Sequence, residues 1–110
     1  MKTTGRDYKI SSGNVFADLG VDAPEEALAK AELTAKISQL IEDRGLTQAS
    51  AAKILGIDQP KVSALLHGRL TGFSMERLIK FLNTLGHDVE IVIRDRPRAR
   101  KPGHLQVLVS

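Results

Sequence analysis

The chain has 110 residues, 42% hydrophobic and 26% charged, with a formal net charge of +3 and no cysteine. This length suits one small domain with a tail or two, and the lack of cysteine excludes a disulfide frame and a thiolate metal site, in keeping with a reducing cytoplasm. No apolar run is long enough to span a bilayer, and "MKTTGRDYKISSGN" lacks the apolar centre of a signal peptide.

Residues 1–21 show no sustained helical or strand period and are expected to form a flexible arm. Ile10, Val15, Phe16 and Leu19 are large apolar groups there without a local partner; they can pack on the arm's own domain or on another protein. A helix is expected over 22–44. Asp22 offers a cap, Pro24 suits the first turn, Glu25 and Glu26 favour the positive helix end, and Gly45 stops it. Leu33, Ile37, Leu40 and Ile41 make its buried face, and 25–32, rich in Ala and charge, reads as an extension outside the core. With no Trp and few aromatics, the core is expected to be Leu, Ile, Val and Ala.

Thr47 is placed to cap a second helix over 48–55, ended by Gly56. Asp58 caps a third at about 59–67, and Ser74 a fourth over 75–85, with Leu78, Ile79, Leu82 and Leu85 inward and Gly86 closing it. In "HDVEIVIR", Val89, Ile91 and Ile93 alternate with Glu90, Val92 and Arg94, the period of a strand over 88–94. Residues 95–110 form a basic, proline-broken tail whose 104–109 stretch can be a last strand. One strand leaves its N–H and C=O groups unpaired. Its partner is either 104–109 or the same strand of a second chain; the long linker with Pro97 and Pro102 favours a homodimer. Such a dimer relates two copies of the third helix by a two-fold axis.

The stretch "AAKILGIDQPKVSALLHG" carries the functional signal. Ala52 is small where two helices must approach, Gly56 can turn left-handed, and Val62, Leu65 and Leu66 face inward again. A helical wheel then leaves Pro60, Ser63, Ala64 and His67 outward, flanked by Gln59 and Lys61. That slim helix fits a major groove roughly 12 Å wide, where Gln59 can pair with an adenine edge and Lys61 can reach a phosphate or a guanine. The helix starts at Thr47-Gln48 and Ser74-Met75 offer N–H groups to phosphates, with Arg69 and Thr71 in the loop between them. The acids concentrate early, and the bases from Lys61 onward outweigh the acids there, as expected of a half that meets a polyanion. His67, His87 and His104 are too widely spaced for a metal site, and no cofactor is expected. No nucleophile–base pair, phosphate-cradling glycine loop or carboxylate cluster speaks for an enzyme.

"LTQASAAKILGIDQPKVSALLHG" resembles the helix-turn-helix of phage-repressor and XRE-type regulators, over about 33–86. The resemblance implies a mainly α fold: a phage-repressor-like bundle of four to five helices spanning 22–87, with a C-terminal strand that pairs in a dimer. It also implies that Gln48 binds phosphate or buttresses the reading helix and that Gln59 reads a base. "SSGNVFADLG", "GFSMERLIKFLNTLGHDVEIVIR" and the Arg-Pro-Arg tail together resemble HigA-type antitoxins. That narrower resemblance implies a bacterial, cytoplasmic, nucleoid-associated repressor of its own operon. It also implies a RelE-like toxin partner that cleaves messenger RNA, gripped by Ile10, Val15, Phe16 and Leu19. A stand-alone regulator of the same fold, or a helical protein–protein adaptor, are the other functions in view.

Overall fold

The computed structural model describes residues 23–95 and 103–109. Four helices are found among them: α1 (Ala23–Asp43), α2 (Gln48–Leu55), α3 (Gln59–Leu66) and α4 (Met75–Thr84). The arm at 1–21 and the Asp22 cap lie outside the described residues.

Three helix starts follow one local rule. The Thr47, Asp58 and Ser74 side chains each accept the N–H three residues on, from Ser50, Lys61 and Arg77. Each cap therefore satisfies one of the four backbone donors that a helix start leaves over. The α2–α3 turn depends on Gly56, at φ 73° and ψ 31°, whose N–H and that of Ile57 both donate to the Ala52 carbonyl. A Cβ built on Gly56 meets nothing within 4 Å, so the position is restricted by backbone conformation and not by space. Gly56→Ala is expected to cost about 1–2 kcal/mol, the left-handed penalty alone; chemical denaturation with an unchanged slope checks it.

The core joins Leu33, Ile37, Leu40 and Ile41 of α1 to Ala51, Ala52 and Leu55 of α2, Val62 and Leu65 of α3, and Leu78, Leu82 and Leu85 of α4 and its cap. The Arg44 guanidinium donates to the Leu85 carbonyl and ties the far ends of α1 and α4 together.

Several expectations need correction. Ala29 is 2% exposed, so α1 enters the core within the stretch read as an outlying extension. The core is not purely aliphatic. Phe73, Met75 and Phe81 are buried, and the two rings meet edge to face, 6.0 Å apart at 74°. Phe81 takes the inward place expected of Ile79, which is only half-buried. The third and fourth helices each end one residue early, with His67 and Leu85 as their caps.

Residues 88–95 carry no strand ladder among the described residues. Val89 packs on the core, whereas Ile91, Val92 and Ile93 are 78%, 65% and 91% exposed. The expected strand is not seen among the described residues.

Candidate nucleic-acid interface

Along α2, its glycine turn and α3 the polar side chains of Gln48, Lys53, Asp58, Gln59 and Lys61 are exposed. Gln59, Pro60 and Lys61 are all exposed at the start of α3, while Val62 and Leu65, one turn on, are fully buried. Buried anchors on one side of so short a helix fix the direction of the other side. The expected outward face is narrower than the wheel suggests. Ser63 and Ala64 are half-buried, and Ala64 packs on the core. His67 is exposed, but its Nδ1 lies 2.8 Å from the Ser63 carbonyl and 3.4 Å from Ser63 Oγ. The ring thus folds back over its own helix end and leaves Nε2 for any outward contact.

The three caps also sort the backbone donors. At α2, Thr47 covers the third N–H and leaves those of Gln48 and Ala49 outside the helical ladder. At α4, Ser74 leaves those of Met75 and Glu76. At α3, Asp58 covers Lys61 and Pro60 has no N–H, so only the Gln59 amide remains. Anion binding through backbone is therefore better served at α2 and α4, whereas α3 must act mainly through side chains. That division matches what a duplex asks for, with phosphates held at the flanks and base edges read in the middle.

Arg69 and Thr71 are exposed on the α3–α4 loop. Arg77 holds that loop, although the sequence offered no sign of it. Its Nη1 donates to the Gly72 carbonyl at 3.1 Å, and its guanidinium lies 5.2 Å from the Phe73 ring centre and 5.7 Å from that of Phe81. Lys53, Lys61 and Arg77 line an open groove of 740 Å³ beside the turn, together with Ala49, Ala52, Gly56, Ile57, Asp58 and Gln59. Lys53 and Arg77 thus add two cations that the motif reading passed over. A Lys five residues after a helix start has no pattern of its own, and its neighbours come from another helix.

Among the described residues no group of three or more His, Asp or Glu side chains is placed to hold a metal, and no helix is long and apolar enough to cross a membrane. Ile10, Val15, Phe16 and Leu19 lie outside the described residues. Of the dimer candidates, Ile91 and Ile93 are open to solvent and Val89 is half-covered.

The profile of a family described as "helix-turn-helix domain" matches residues 15–94. A solved structure bearing the provisional name XRE family transcriptional regulator is 46% identical, covers 81% of this chain and all of its own, and superposes with a TM-score of 0.74. Among curated proteins, no match was found.

Proposed function

We propose, from the premise that this chain belongs to the helix-turn-helix domain family and to its XRE group, that it is a repressor which binds operator DNA as a homodimer. We further propose that it serves as the antitoxin of a toxin–antitoxin operon. The observation that carries the DNA reading is the exposed Gln59–Lys61 edge, set by the Gly56 turn and anchored by fully buried Val62 and Leu65. An adaptor has no need of cations brought from three helices to one groove, as Lys53, Lys61 and Arg77 are.

The dimer reading is supported by Ile91, Val92 and Ile93, a β-branched run open to solvent beyond the last helix. Two such runs paired antiparallel across a two-fold axis satisfy each other's backbone and bury that surface. Ile91→Asp is expected to shift sizing chromatography to the monomer and to weaken operator binding by at least about tenfold, since two tethered sites reinforce each other. A dimer unchanged in size contradicts strand pairing.

The antitoxin reading rests on the resemblance of "SSGNVFADLG" and the Arg-Pro-Arg tail to HigA-type proteins. Apolar Ile10, Val15, Phe16 and Leu19 suit an arm that grips a RelE-like mRNA-cleaving toxin. Deleting residues 1–21 is expected to leave operator binding within about twofold and to abolish toxin neutralisation in a growth-rescue assay. Continued rescue removes the arm's role. The stand-alone regulator is the second reading, favoured by the solved relative, whose name mentions transcription and no toxin. Co-purification from the native operon separates the two, because only the antitoxin brings a stoichiometric small partner with it.

A further inference from the structure

The tail comes back onto the start of α1. His104 Nδ1 lies 2.6 Å from Glu25 Oε2, and the Leu105 N–H donates to Glu25 Oε1 at 3.3 Å. One carboxylate thus holds two successive residues from 80 positions away. Behind this clasp Leu105 and Val107 are half-buried against the core, while His104, Gln106 and Leu108 are exposed. This period of two turns one side of the tail to the protein. In sequence, the clasped residues are joined to the exposed Ile91–Ile93 run through Pro97 and Pro102.

We propose that this tail is exchanged between two copies of the chain: in the dimer, His104–Val107 of one subunit close on Glu25 and the core of the other. The proposal rests on the dimer reading above. Exchange re-uses the same clasp and the same apolar contacts, so it sacrifices none of them. What tips the balance is what only two copies can bury, and Ile91, Val92 and Ile93 supply that surface at the base of the tail. A chain whose 88–94 stretch runs along its partner's carries the following residues toward the partner.

The test mixes two full-length variants. Glu25→Ala has a broken receptor and an intact tail; Leu105→Asp with Val107→Asp has an intact receptor and a broken tail. Exchange restores one complete clasp in the mixed dimer. The Leu105 amide of the Glu25→Ala chain is then expected to exchange with solvent about tenfold more slowly in the mixture than alone, the factor that one hydrogen bond to a charged acceptor contributes. No added protection, with both variants dimeric on sizing, overturns the exchange and leaves the dimer standing. Monomers throughout overturn both. As a second readout, Glu25→Cys with His104→Cys in this cysteine-free chain is expected to give a cross-link of dimer mass under oxidation, and one of monomer mass contradicts the proposal.

Discussion

Changing Gln59 and Lys61 together to alanine is expected to weaken operator binding roughly 100-fold while leaving the melting temperature within about two degrees. Both side chains are exposed, and the packing of α3 runs through Val62 and Leu65, so truncation removes nothing from the core. Only the backbone of Lys61 supports the fold, through the bond from its N–H to Asp58 Oδ1, and alanine keeps that N–H. A bidentate side-chain contact to a base is worth about 1–3 kcal/mol of discrimination, so the Gln59 change should also relax preference at one base pair. In the proposed complex Lys61 can reach a phosphate or a guanine, and the phosphate contact is the one that salt dependence reads. Its loss should weaken binding to all sequences alike and reduce the steepness of the salt dependence by about one unit. Binding isotherms at several salt concentrations, on operator and on scrambled duplex, separate the two roles.

Leu65→Ala should show the opposite behaviour four residues along the same helix. Leu65 is wholly buried among side chains of the core. Truncation removes its transfer energy and leaves a cavity, a loss of about 2–5 kcal/mol. A domain of this size commonly holds only about 5–15 kcal/mol in total, so the variant should melt many degrees lower and be partly unfolded at 37 °C. Operator affinity per folded molecule should remain near that of the parent at low temperature, because the polar edge is intact. Denaturation monitored by circular dichroism, with binding measured at 10 °C, distinguishes this from a change in the interface. Together the two substitutions assign position 65 to stability and positions 59 and 61 to recognition.

The parts of the fold that were legible in the sequence are those decided by neighbours along the chain. Thr47, Asp58 and Ser74 each announce a helix start because a short side-chain oxygen reaches the N–H three residues on. Gly56 announces the turn because its conformation is one that other residues resist. The illegible parts are decided across the chain. Phe73, Phe81 and Arg77 form one unit only after α4 has folded against the loop before it, and no periodicity marks a ring for a cation. Ala29 joins the core although hydrophobic patterning gives so small a side chain little weight. The clasp from Glu25 to His104 and Leu105 spans almost the whole chain, so nothing local signals it. The 88–94 stretch has strand composition, yet a ladder requires a second strand, and a single chain offers it none among the described residues.

Within the candidate interface the same division holds. Gln59 and Lys61 could be named beforehand because the apolar positions 62 and 65 fix which side of α3 is dry. The withdrawal of Ala64 and the folding back of His67 onto Ser63 depend on how closely α3 sits against its neighbours. Those details narrow the reading edge to the first turn of the helix. Lys53 and Arg77 widen the basic surround instead, from elements that the motif alone does not join.

The most direct test of this account is an amide and side-chain NMR titration of the full chain with a duplex carrying its own promoter. The largest shifts are expected on Gln59 and Lys61 and on the Gln48 and Ala49 amides, with Ile37 and Leu78 nearly still. Shifts centred on the outer surface of α1, with the Gln59 and Lys61 signals unmoved, would contradict it.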